Sequence, residues 1–176
     1  MKKSAHGFTL VELLVVIAII AILAAVVVLI INPLELTRRG RDAARLTDLS
    51  NLQQAINVAV QEATGSAATI LCSGDSAPCN GLSNIAGRGS DGTGWVKVDM
   101  SSQKSVSVPT LPIDPINDAT NHYIYCSDGN AWEIDAKLES TQQSGKMLPD
   151  GGDDPVLYEV GSNLKLTSPS GGTCTY

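Results

Sequence analysis

The chain has 176 residues, a formal net charge of −6 and only 4% aromatic residues, with 43% hydrophobic residues overall. That acidic balance argues against a strong nonspecific nucleic-acid surface, and no specific nucleic-acid binding is expected. The chain shows no P-loop, dinucleotide fingerprint or H-E-x-x-H. His6 and His122 have no nucleophile motif beside them, so no catalytic site is expected and the chain is not read as an enzyme.

The first element is membrane-length. Lys2 and Lys3 lead to Gly7, and residues 8–31 form an apolar run broken by one charge, Glu12. As a helix this run reaches ~36 Å, against a hydrocarbon core of ~30 Å. A secretory signal peptide would use Lys2 and Lys3 as its charged region and residues 21–24 as a cleavage site. The run is longer than an ordinary signal core, and Glu12 interrupts it. A single-pass anchor would account for the length but not for Glu12, since a carboxylate inside a membrane is costly and is normally paired.

Lys2-Lys3, then Gly7-Phe8-Thr9-Leu10-Val11-Glu12 and the apolar residues through Ala24, closely resemble the class III signal of type IV pilins and type II secretion pseudopilins. The resemblance covers the first thirty or so residues. It implies that a membrane peptidase, the prepilin peptidase, cuts after Gly7 on the cytoplasmic side and methylates Phe8. Residues 1–7 are then a leader, and removing Lys2 and Lys3 takes the formal charge from −6 to −8. It also implies that the apolar helix stays on the protein, and that Glu12 meets the Phe8 amine of a neighbouring subunit in a filament. Arg38, Arg39, Arg41 and Arg45 would place the following domain in the cytoplasm by a positive-inside count. The resemblance implies the opposite orientation, and the cysteines favour it.

Asn32-Pro33 follows. Proline cannot donate to the Leu29 carbonyl, so a kink or local melting is expected at Pro33. The resembled family often carries a proline a few residues earlier. Residues 32–65 form the next element: Leu46, Leu49, Leu52, Ile56, Val60 and Ala63 recur at helical spacing, opposite Arg45, Asp48, Gln53, Asn57 and Gln61. The apolar stripe is expected to pack on a sheet. The arginines at 38, 39 and 41 are expected to meet lipid head groups or acidic neighbours, or to form a solvated collar.

Residues 66–176 form a polar, glycine-rich domain. Strands are predicted at 95–100, 123–126, 131–136 and 157–160, with a hairpin turn at 127–130. The expected fold class is α+β: a long N-terminal helix whose second half packs on a small antiparallel sheet. The pilin resemblance implies the same architecture. Cys72, Cys79, Cys126 and Cys174 allow three pairings. The favoured one joins Cys72 to Cys79 across a short loop and Cys126 to Cys174, the second pinning the C-terminal tail much as disulfides bound C-terminal loops in many pilins. No C-x-x-C pair supports a zinc site.

Two acidic loops bear on calcium. Residues 111–118, with Asp114 and Asp118, resemble the proline-bounded loop of major pseudopilins, in which a nearby loop holds calcium. Residues 150–155 offer Asp150, Asp153 and Asp154 as hard oxygen donors. Neither fits the EF-hand pattern, and turn chemistry accounts for the same residues and is preferred. The function expected from all of this is a pilin that polymerises into an extracellular type IV pilus. It starts as an inner-membrane precursor and meets the prepilin peptidase and an ATP-driven assembly platform. A major pseudopilin, a DNA-uptake or minor tip subunit, and a membrane-anchored binding module that never polymerises are the competing expectations.

Overall fold

The structure is a computed structural model that describes residues 7–101, 105, 108–167 and 172–174. Lys2, Lys3 and His6 of the leader lie outside the described residues. The chain divides into two compact units, residues 1–37 and 38–176.

The first unit is built on α1 (Leu10–Ile31). Its 22 residues are almost entirely branched aliphatics and alanine, which are long on apolar surface and carry no group that competes with the helix backbone. Leu10–Val28 has a mean hydropathy of 3.2 and is wholly exposed, so α1 is long and apolar enough to cross a membrane. The helix stops at Asn32, which takes the left-handed conformation (φ 45°) and closes α1. Asparagine tolerates that conformation through its short polar side chain. The Asn32 carbonyl then accepts from the amides of Glu35 (3.0 Å) and Leu36 (3.2 Å), starting α2 (Pro33–Glu62) with proline at its first position. The interruption expected at Pro33 is therefore one residue wide, and it falls on Asn32 because proline suits a helix start.

In the second unit, α2 supplies Leu49, Leu52, Ala55, Ile56 and Ala59 to the core. Leu46, Val60 and Ala63 are only half-buried. A short α3 (Ala67–Leu71), capped by the Ser66 hydroxyl, was not legible in the sequence. The sheet has four antiparallel strands in chain order: β1 (Cys79–Leu82), β2 (Ile124–Ser127), β3 (Trp132–Ala136) and β4 (Tyr158–Gly161). The fold is α+β. Tyr125, Ile134 and Val160 are partners in register and join the α2 residues in the main core.

Two strand predictions need correction. Residues 95–100 are not a strand in the sheet, although Trp95, Val96, Val98 and Met100 are all fully buried. The backbone bonds of this segment go to loops: Trp95 N–H to the Gly87 carbonyl, Met100 N–H to that of Ser90, and the Lys97 carbonyl to the Ser73 amide. Buried Val96, Val98 and Met100 do alternate with half-buried Lys97 and Asp99, but the backbone bonds go to loops, so the pattern marks one face laid on the core and not membership of the sheet. The missed strand is β1, which has no β-branched or aromatic residue. Gly81 is required there, because a Cβ would lie 2.1 Å from the Trp95 carbonyl oxygen.

Both disulfides are intrachain, Cys72–Cys79 and Cys126–Cys174, with Cα separations of 5.8 and 6.0 Å. Cys126 and Cys174 pack with Leu166 in a second, smaller apolar cluster. This cluster lies on the sheet face opposite the main core, because Cys126 alternates with Tyr125 along β2.

Candidate functional site

The N-terminal site is local in sequence. Gly7 and Phe8 precede α1 in exposed, non-helical backbone, and Phe8 is 90% exposed. Among the described residues, a Cβ on Gly7 would meet nothing within 4 Å, so no contact there demands glycine. Thr9 is the N-cap of α1, and with Glu12 it forms a capping box. The Glu12 amide donates to Thr9 Oγ1 (3.2 Å), while the Thr9 amide and hydroxyl donate to Glu12 Oε2 (2.8 and 2.7 Å). The Glu12 carboxylate thus satisfies one orphan amide and sits at the positive end of the helix dipole. T-x-x-E at the head of an apolar run is the signature of such a box, and the sequence expectation for Glu12 overlooked it.

A family model for the prokaryotic N-terminal methylation motif matches residues 2–28. The chain carries the class III signal peptide of type IV pilins and pseudopilins. No curated protein and no solved structure matches the chain. The methylation motif supports a pilin-like or pseudopilin precursor and implies processing by prepilin peptidase and pilin-like assembly. It points toward a structural, pilin-like family. With α1, it fits a membrane-anchored precursor.

Beyond the methylation motif, Arg45 departs most from its expected place. It was placed on the polar face of the helix, yet it is fully buried. Its guanidinium holds Asp114 in a two-point contact (Nε–Oδ2 2.6 Å, Nη2–Oδ1 3.0 Å), and its Nη1 reaches Asp42 Oδ1 (2.9 Å) and Glu139 Oε2 (2.7 Å). Arg41 also binds Glu139 at both carboxylate oxygens, so it is tied into its own domain rather than presented as part of a collar. Asp42 accepts from the amides of Glu139 and Ser140. Burial pushes the Asp42 carboxyl up, but bonds from Ser140, those amides and Arg45 outweigh it and hold it below its ordinary value. Arg41, and then Arg45, likewise hold Glu139 low.

A group with a depressed folded pKa adds stability that is present above its unfolded value and is lost as pH falls through the folded one. The contribution of Asp42 and Glu139 is therefore full at neutral pH, begins to fall near about pH 4, and is lost progressively as pH drops through the depressed folded values. Acid titration followed by near-UV circular dichroism should show wild type losing tertiary structure in this range. The double variant Asp42→Asn, Glu139→Gln, already lacking these charges, should show a flatter stability profile between pH 5 and pH 3.

The predicted calcium residues are engaged in other ways. Asp114 is committed to Arg45 and to the amides of Ile116 and Asn117. Asp118 caps a turn through the amides of Thr120 and Asn121. Asp150 accepts from Gly152 and Glu159, Asp154 accepts from Val156, and Asp153 is exposed. Among the described residues, the group of potential ligands that does converge is Glu133, Asp135 and Glu159, which includes none of the five. Asp135 pairs with Glu159 across β3 and β4, and Glu133 lies two residues along β3, so all three share the second sheet face. Burial, then the Glu133 charge, push the Asp135 carboxyl well above its usual range. Burial and the Glu133 contact push Glu159 up to about 9.

Proposed function

We propose that this chain is the structural subunit of a type IV pilus. It is made as an inner-membrane precursor, cut after Gly7, methylated on Phe8, and polymerised through residues 8–31 into an extracellular filament. The observation that carries this reading is the match of residues 2–28 to the methylation motif, joined to an exposed apolar helix with a single charge. Gly7 supports it, since an exposed glycine that no described residue crowds suits recognition by a peptidase.

Cleavage frees an amine on Phe8, which remains a cation after methylation. In the filament, Glu12 of one subunit pairs with that amine on another, and an apolar surround makes either charge costly to leave alone. Packing α1 helices together removes apolar surface from water at ~25 cal/mol per Å². Extraction from lipid offsets part of this, which is why an ATP-driven assembly platform is a necessary partner.

A major pseudopilin of type II secretion is the second reading, favoured by the proline-bounded loop at 111–118. Long sheared surface filaments made chiefly of this chain support the pilus. Short filaments formed only on overexpression support the pseudopilin. Intact-mass analysis of the membrane-extracted chain tests both together. The expected product begins at Phe8 and carries one added methyl group; retention of residues 1–7 would falsify the pilin reading.

A further inference from the structure

Among the described residues, Leu166, Thr167 and Cys174 cover the second face of the sheet. The amides of Leu166 and Thr167 donate to Glu133 Oε2 (2.7 and 3.0 Å), the Thr167 hydroxyl donates to Asp135, and Cys174 is bonded to Cys126. Under this cover, Glu133 and Asp135 are fully buried and Glu159 is 2% exposed. Their ligand oxygens lie within 4.8 Å of one another. From the other side, the loop at 150–154 closes on Glu159: the Asp154 amide donates to Glu159 Oε2 (3.3 Å), and a Cβ on Gly152 would lie 1.5 Å from that oxygen.

One oxygen of each carboxylate thus has a donor. The other does not: Glu133 Oε1, Asp135 Oδ1 and Glu159 Oε1 are buried with no hydrogen-bond partner. Among the described residues, no lysine or arginine forms an ion pair with any of the three. Three adjacent buried carboxylates with three idle oxygens cannot all stay ionised: either protons keep Asp135 and Glu159 neutral, as their raised pKa values require in the metal-free state, or a bound cation displaces those protons.

We infer that Glu133, Asp135 and Glu159 bind one Ca²⁺ ion between the sheet and the C-terminal segment. The donor set is all carboxylate, without nitrogen or sulfur, which selects a hard cation over zinc or copper. Calcium–oxygen distances of about 2.3–2.6 Å put two ligands up to about 5 Å apart, matching the spacing of these oxygens. Used bidentately, the three carboxylates offer six oxygens, the lower end of what calcium takes, since an oxygen that accepts one N–H keeps a second lone pair. Magnesium's near-ideal octahedron and shorter bonds suit three carboxylates fixed on two strands less well. Bound there, the ion bridges β3 to β4 and fixes the Glu133 and Asp135 carboxylates that accept from Leu166 and Thr167. This site is independent of whether the chain polymerises.

The test uses the full chain in detergent at pH 7.5, stripped with EDTA and titrated with CaCl₂ or MgCl₂. Isothermal titration calorimetry should give one Ca²⁺ per chain. At a hundredfold excess over Kd, Tm should rise by about 5–10 °C. MgCl₂ at the same concentration should give less than half of that rise. Asp135→Asn should lower calcium affinity by at least about tenfold. In EDTA the same variant should melt no lower than wild type, because it relieves repulsion. That crossover of the two melting curves cannot come from misfolding, and Glu159→Gln should repeat it. Asp153→Ala, in the exposed part of the loop, should bind calcium like wild type. A wild-type Tm indifferent to calcium overturns the site and leaves shared protons to hold the three carboxyls together. So does calcium binding that survives Asp135→Asn and is lost in Asp153→Ala.

Discussion

Glu12→Ala is expected to abolish filaments while leaving cleavage after Gly7 intact. On the proposed reading, cleavage acts on the exposed Gly7–Phe8 bond ahead of α1, and Glu12 lies beyond it in the helix. Assembly, by contrast, buries the Phe8 amine on the proposed reading. Removing its only carboxylate leaves a cation unpaired in an apolar surround, at about 3–5 kcal/mol per subunit. That corresponds to a fall of more than about a hundredfold in subunit association at each addition. The capping box complicates the simple variant, because alanine also removes the acceptor for the Thr9 amide and hydroxyl. Two further variants separate the roles. Glu12→Gln keeps an acceptor for the cap but no charge, and filaments should still fail. Thr9→Ala keeps the charge and loses the cap, at about 1 kcal/mol of helix stability, and filaments should persist. Sheared filaments counted by electron microscopy, with intact mass for processing, read all three. Normal filaments from Glu12→Gln would show that the charge does not set the register.

Arg45→Met should destabilise the second unit by about 3–5 kcal/mol and lower Tm by roughly 10 °C. The methionine fits a buried position on α2, so lost packing volume is a small part of the effect. The larger part is that Asp42, Asp114 and Glu139 lose the guanidinium they converge on. Domains of this size are held by about 5–15 kcal/mol, so the loss is a large fraction of the whole. Arg45→Lys should recover little, since an ammonium cannot span Asp114 at two points while reaching the other two carboxylates. Thermal melts of the full chain in detergent decide the matter. A Tm for Arg45→Met within about 2 °C of wild type would mean the cluster is held by its amide donors instead.

The two predictions sit on parts of the chain that differ in how far sequence reasoning reaches them. Everything that concerns Gly7, Phe8 and Glu12 is local: a helix of membrane length is written in consecutive residues, and even the missed capping box is legible as T-x-x-E. The β2–β3 hairpin is legible for the same reason. Asp128 accepts from the amides of Asn130 and Ala131, and Gly129 supplies the positive φ of the turn.

Arg45 was misplaced because helical periodicity sorts residues by polarity, and a charged residue on the inner face becomes tolerable only when partners distant in sequence arrive. Two of its three partners, Asp114 and Glu139, lie 69 and 94 residues away. Strand β1 was invisible because its pairing with β2 and the carbonyl that crowds Gly81 both come from elsewhere in the chain. The acidic positions of β3 look like an exposed face by alternation, yet all five of its residues are buried. Only the C-terminal cover converts that face into an enclosed carboxylate cluster.

The sequence by itself determined the membrane-length helix, its lone carboxylate, the methylation motif and the α+β class, because each follows from neighbouring residues and a short repeat. The tertiary structure alone decided that Arg45 is a buried hub, that residues 95–100 fill the core outside the sheet, and that Glu133, Asp135 and Glu159 meet under the C-terminal segment. Those outcomes depend on which charges are desolvated together, and desolvation is set by what folds over a residue rather than by what stands beside it in the chain.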